Sequence, residues 1–304
     1  MKNIISNILL YSAISIPVFT SCSNDDEIKA EANSRLLEIE VLENAQTRTT
    51  SPLYNSIPSK TNYGIYLADN DYNIASNCNN IPVYYYEGSS SISQVVELNA
   101  NDRRVYAYYP YDSHVNPSDL ELEGVMAGKD VMIGKSVEVK TDESYSSGYV
   151  NSEMNKAYLK LTHAKSCITF SINQEETWTR HKIEKVAVQV PARYTRVNLF
   201  TGHYAGNTDA DITPNIVNAY TTVKEYVGCN FLLAPTVKEG DIIAKLTVDG
   251  KDVSLKLPVN YLKPGMNYIF KITIKRDTTL IIEESSIVKR DEKSSSSVDW
   301  EIEY

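Results

Sequence analysis

Residues 157–172 read AYLKLTHAKSCITFSI, and two short patterns of opposite phase lie inside them. Ala157, Leu159 and Leu161 put apolar side chains at odd positions, whereas Ile168, Phe170 and Ile172 put them at even ones. Alternation with period two is the pattern of a half-buried strand. A phase switch inside one strand is what a β-bulge produces, so a bulge is expected around His163-Ala164. Downstream, KVAVQVP (185–191) keeps Val186, Val188 and Val190 on one face. IIAKLTVDGKDVSLKLP (242–258) reads as a hairpin. Its Asp249-Gly250 pair supplies the positive φ of a tight turn, flanked by rows of Leu246, Val248, Val253, Leu255 and Leu257. LKPGMNYIFKITI (262–274) turns at Pro264-Gly265 and alternates through Tyr268, Phe270, Ile272 and Ile274.

Upstream, LLEIEVLE (36–43) sets Leu37, Ile39 and Val41 against Glu38 and Glu40, again a strand. TNYGIYLAD, IPVYYYEG and RRVYAYYPY follow, short and rich in Tyr, Val and Ile, with Asn, Asp, Gly and Ser between them. SISQVVELNANDR (91–103) is the best helix candidate, and a weak one. The pattern thins between about 112 and 155, which places a domain junction near its end. An all-β chain of two tandem β-sandwiches is therefore expected, spanning residues 36–153 and 154–304.

The first residues belong to neither domain. MKNIISNILLYSAISIPVF has one charge, Lys2, followed by a short apolar run, the form of a secretory signal over residues 1–21. Phe19-Thr20-Ser21-Cys22 resembles the lipobox of bacterial lipoproteins, in which the cysteine is acylated and becomes the first mature residue. Ser23-Asn24-Asp25-Asp26-Glu27 then opens a polar tether over residues 22–35. Acids directly after such a cysteine resemble surface-export tethers, which implies the outer face of an outer membrane.

Composition narrows the partners. A net charge of −9 with no basic stripe argues against nucleic acid. After the leader only Cys78, Cys167 and Cys229 remain, odd in number and without a CxxC, so neither a disulfide framework nor a zinc site is suggested. Tyrosine stands at 22 against 5 Phe and 2 Trp, which suits half-exposed sheet faces on an extracellular protein.

Catalytic patterns are missing from the sequence. His114, His163, His181 and His203 are scattered, and no GxSxG elbow occurs. GVMAGKD lacks the spacing and the Ser or Thr of a phosphate loop. DNDYN (69–73) begins like a calcium loop but has Ile74 where glycine is obligatory. No enzyme activity and no cofactor are expected. His163 is read as a residue that fixes local geometry.

TRTT (47–50), YGIYL, VYAYYPYD, LKLTHAKSCITFSI, FLLAPT, a hairpin strand ending KLP, and LKPGMNYIFKITI occur in that order. Together they resemble the fimbrillin family, the type V pilins and their Mfa-like relatives, over most of the mature chain. The resemblance implies two transthyretin-like β-sandwich domains, a lipoprotein precursor, export to the surface, and assembly with other fimbrial subunits into adhesive fimbriae. It also implies cleavage after an arginine in the position of Arg48, which would remove the lipid and the first strand together. Leu37, Ile39 and Val41 are then the candidates for the displaced strand. VDWEIEY, with Val298, Trp300, Ile302 and Tyr304 alternating with acids, is the candidate donor strand. Two readings of VDWEIEY stay open, a donor for a neighbour or the last strand of its own domain. The residues also leave open a non-polymerising surface lipoprotein that binds glycans on a host or bacterial receptor through exposed Tyr and Trp.

Overall fold

The phase switch in residues 157–172 is a change of sheet, which corrects the expectation of a bulge within one strand. Lys156–His163 (β12) lies in a seven-stranded sheet, and Ser166–Gln174 (β13) lies in a different, four-stranded one. Ala164 and Lys165 carry the chain across. Alternation restarts after them because the side chains now face a second core: Leu159 and Leu161 pack in one apolar cluster, Ile168 and Phe170 in another. The computed structural model describes residues 35–42, 57–123, 126, 128–140, 145–175, 180–223 and 226–290. It is all-β, with no α-helix among these residues.

The seven-stranded sheet runs in the order β2 (Glu38–Val41), β12, β9 (Met132–Ser136), β7 (Arg104–Tyr109), β3 (Thr61–Ala68), β4 (Ile74–Tyr86), β5 (Ser89–Ile92). Its neighbours are antiparallel except β2, which pairs parallel with β12. This sheet thus takes in residues beyond the boundary expected at 153. It is buried on both faces: Tyr63, Ile65 and Leu67 of β3 face one cluster, Tyr66 and Ala68 a second. Two-stranded pairs add β1 (Arg35–Leu36) with β6 (Glu97–Leu98), and β10 (Glu138–Lys140) with β11 (Tyr145–Ser147). Residues 91–103 are accordingly not helical; they hold the end of β5 and all of β6. Val96 and Leu98 sit two apart in the same core, the spacing of a strand and not of a helix.

Two four-stranded sheets share the third core. One is ordered β18 (Val227–Leu233), β13, β21 (Met266–Ile274), β22 (Leu280–Lys289). The other is β17 (Asp211–Tyr220), β14 (Lys182–Val190), β19 (Ile243–Val248), β20 (Lys251–Lys256). Val186, Val188 and Val190 of β14 meet Phe170, Phe231 and Phe270 of the facing sheet. The β19–β20 turn has φ of 50° at Asp249 and 76° at Gly250, as a type I′ hairpin requires. A small sheet of β16 (Tyr204–Ala205), β15 (Arg196–Val197) and β8 (Leu120–Glu121) stitches residues of the two halves together.

Many tyrosines are inside, against the expectation of half-exposed faces. Tyr63, Tyr66, Tyr85 and Tyr108 are fully buried. Burial is tolerated where the hydroxyl finds an acceptor. Tyr66 Oη donates to Val115 O at 2.9 Å, and Tyr108 Oη to Asn80 Oδ1 at 2.6 Å. Burial raises both phenols well above the usual range.

Candidate functional site

The sequence makes β2 a strand with one apolar and one acidic face, and the fold uses both. Leu37 and Val41 are about 5–6% exposed and Ile39 is partly buried, all against the core that holds Ala157, Leu159 and Leu98. Glu38 and Glu40 face outward, and Glu40 pairs with Lys156 at 2.7 Å. Both of those side chains are nearly half exposed, so the pair contributes little.

One edge of β2 is fully laddered. Glu38 N donates to Asn155 O at 2.9 Å and Leu42 N to Leu159 O at 2.8 Å. Asn155 Nδ2 donates to Leu36 O at 2.7 Å. Among the described residues the other edge is bonded only at its start, where Leu37 N donates to Val96 O at 2.9 Å. Beyond that point β2 and β5 are the two ends of the seven-stranded sheet, and no ladder joins them. Between them lies a cleft of about 990 Å³, lined by residues 36–42, 88–96 and Lys156. The curled sheet is thus a barrel left open at one seam, and β2 forms one wall of that seam. Leu37, Ile39 and Val41 thus share the core-facing side of one strand at the edge of the sheet. Cys22, Arg48, Val298, Trp300, Ile302 and Tyr304 lie outside the described residues.

Sequence reasoning missed a second feature, a set of buried charges where β9, β12, β13 and β22 meet. Asp130, His163, Lys165 and Arg290 are each at most 9% exposed. Arg290 forks onto the Asp130 carboxylate, and His163 Nδ1 lies 3.0 Å from Asp130 Oδ2. Burial pushes the Asp130 carboxyl up, but the bond to His163 and the charge of Arg290 outweigh it, so it sits below the usual range. Lys165 Nζ donates to Met126 O at 2.6 Å, and burial lowers its pKa to about 8. These charges come from three separate segments, Asp130, His163 with Lys165, and Arg290, so no single local pattern marks the set. Only His163, at the sheet change, gave a pointer. Cys78, Cys167 and Cys229 are buried free thiols, all raised by desolvation.

Comparison with known proteins bears on most of the chain. The fimbrillin-like family profile matches residues 47–289. No curated protein matches the sequence. Among solved structures, the chain resembles a candidate cell adhesion protein from Bacteroides uniformis at 16% identity and a TM-score of 0.56, covering 84% of this chain and 98% of that one. A candidate cell adhesion protein from Bacteroides ovatus gives 14% identity and 0.57, covering 83% and 97%. The fimbrial anchor protein Mfa2 from Porphyromonas gingivalis gives 14% and 0.43, covering 84% and 97%. At these identities the likeness is one of fold.

Proposed function

The chain belongs to the fimbrillin-like family, and on that footing we propose that it is a fimbrial subunit at the cell surface, assembled by strand exchange and serving adhesion. In this reading Cys22 carries a lipid that holds the precursor at the outer membrane. Cleavage after Arg48 then removes residues 22–48, and with them β1 and β2. A neighbouring subunit fills the vacated edge with Val298, Trp300, Ile302 and Tyr304. The seven-stranded sheet and the pair of four-stranded sheets correspond, in this reading, to tandem transthyretin-like domains.

One observation carries the proposal: β2 is a parallel edge strand whose Leu37 and Val41 are buried in the core while, among the described residues, its far edge beyond Leu37 opens on an unladdered cleft. Loss of such a strand leaves β12 with unpaired backbone groups beside exposed apolar side chains. That is the surface an incoming strand recognises, through ladder bonds and alternate pockets.

The test uses a soluble Cys22→Ser chain whose residues 45–50 are replaced by the site of a sequence-specific protease. Cleavage should convert a monomer to polymer, read by size exclusion and electron microscopy. Cleaved protein that has lost β2 and remains monomeric would overturn the reading. Fatty-acid labelling of wild type and Cys22→Ala in the native host tests the anchor separately, and only the wild type should label.

A further inference from the structure

The places that β2 fills differ in size, and the difference sets how a replacing strand must lie. Leu37 is 5% and Val41 6% exposed, so each occupies a closed site, whereas Ile39 between them is only partly buried. Ile39 also borders the cleft of about 990 Å³, together with Ile92 of β5.

VDWEIEY carries one side chain far larger than any in β2, the indole of Trp300. A ring forced into a site shaped for Leu or Val overpacks it, so Trp300 belongs at the place of Ile39, where the cleft leaves room. A slip by one residue would turn the acids into the core. Registers that set Trp300, Ile302 and Tyr304 on the three places put both large rings in the closed sites, whichever way the strand runs. Val298, Trp300 and Ile302 remain, with Trp300 in the middle.

The two flanking residues set the direction. Run parallel to β12, as β2 runs, the strand would set Val298 at the Leu37 site, a methylene short, and Ile302 at the Val41 site, a methylene too large. Run antiparallel, it sets Ile302 at the Leu37 site, an isomer of the side chain it replaces, and Val298 at the Val41 site, the same side chain. A packed core feels a single methylene. Asp299 and Glu301 then take the places of Glu40 and Glu38 beside Lys156, which Glu40 meets at 2.7 Å. Tyr304 falls at the exposed place of Arg35. Resting on the strand-exchange reading, we infer that the tail of a second copy enters antiparallel to β12, with Ile302, Trp300 and Val298 in the places of Leu37, Ile39 and Val41. Antiparallel ladders are slightly the more stable per residue, so replacing a parallel β2 by an antiparallel strand itself favours exchange.

Lys156 of β12 pairs with Glu38, and continuing the ladder past Leu159 and Val41 pairs Lys160 with Leu42. An antiparallel donor therefore sets Glu301 beside Lys156 and Ser297 beside Lys160, whereas a parallel one sets Asp299 and Glu303 there. The test places cysteine pairs in the full-length Cys22→Ser chain that carries the engineered protease site, where Cys78, Cys167 and Cys229 are buried. Lys156→Cys/Glu301→Cys and Lys160→Cys/Ser297→Cys report the antiparallel entry. Lys156→Cys/Asp299→Cys and Lys160→Cys/Glu303→Cys report the parallel one. After cleavage and mild oxidation, the first two should give disulfide-linked ladders on a non-reducing gel, and the last two should stay at the subunit band. Ladders from the last two, or from every pair, would overturn the antiparallel entry. So would polymer seen by electron microscopy with no ladder from either of the first two. A disulfide closed within one subunit would make the chain's own tail the occupant and likewise overturn it. Absence of polymer from the cleaved parent chain would instead overturn strand exchange itself, and the inference with it.

Discussion

Arg290 and Asp130, 160 residues apart, form a two-pronged ion pair, Nη1 to Oδ1 at 3.0 Å and Nη2 to Oδ2 at 2.6 Å. The side chains are 1% and 7% exposed. Arg290 directly follows β22, and its backbone N also donates to Gly265 O at 2.8 Å. The pair therefore fixes the end of β22 to the segment before β9. Removing one partner leaves the other charge buried and uncompensated, so Asp130→Asn or Arg290→Met should cost about 3–5 kcal/mol. The double variant Asp130→Leu/Arg290→Met should cost less than the sum, since the two charges of the pair leave together and only the contacts of His163 and Lys165 with Asp130 are lost. Urea denaturation decides it, and additive losses would show that the pair does not act as a unit.

Lys165 gives this cluster a pH signature. Its folded pKa is about 8 against 10.5 in the unfolded chain, because burial disfavours the ammonium. Below pH 8 both states hold the proton, and the cost of the buried charge is fully present, about 3 kcal/mol. Between 8 and 10.5 the unfolded state binds more protons, so stability from this group rises with pH. Lys165→Met should raise stability at pH 7 and flatten the rise from pH 8 to 10, measured by urea midpoints. An unchanged slope in the variant would show that other groups carry it.

These charges also mark where the sequence stops being legible. Alternation is a local property, so strands such as Val186–Val190 and Tyr268–Ile274 could be read directly, as could the Asp249-Gly250 turn. Which sheet a strand joins is not local. The same alternation around His163-Ala164 serves a bulge or a change of sheet, and only long-range pairing of β12 with β9 and of β13 with β21 separates them. The apolar face of β2 was readable, but its parallel placement beside β12 was not. Tyrosine burial depended on acceptors such as Val115 O, 49 residues from Tyr66.

Gly134 tests the packing of the seven-stranded sheet. A Cβ there would lie 2.0 Å from Lys160 O and 2.8 Å from Leu161 Cα, both main-chain atoms of β12. Neither can yield without parting β9 from β12, whose register pairs Gly134 with Leu161. Gly134→Ala should lose about 3 kcal/mol or more. Gly228→Ala is the control: its Cβ meets nothing within 4 Å, and a change within about 0.5 kcal/mol is expected. Equal losses would mean that the close approach is not the cause.

A free donor strand and β2 compete for the same edge of β12 in this assembly scheme. A free peptide VDWEIEY offers four apolar side chains, worth roughly 6–12 kcal/mol gross at ~1.5–3 each. Ordering its seven backbone residues costs about 7–14 kcal/mol. The two nearly cancel, so binding must draw on ladder bonds to β12 in a groove that is already formed. An intact β2 holds those bonds through Glu38 N and Leu42 N, and its Leu37 and Val41 fill the core below. The uncleaved wild type should therefore ignore the peptide. Leu37→Ser/Val41→Ser removes the apolar anchors while leaving the chain uncut, and should let the peptide bind, read by fluorescence polarisation of a labelled peptide. Cleaved protein should bind more tightly still, since nothing remains to be displaced. Peptide binding of equal strength to the intact wild type, or no binding to either the double variant or the cleaved chain, would remove β2 from the assembly mechanism.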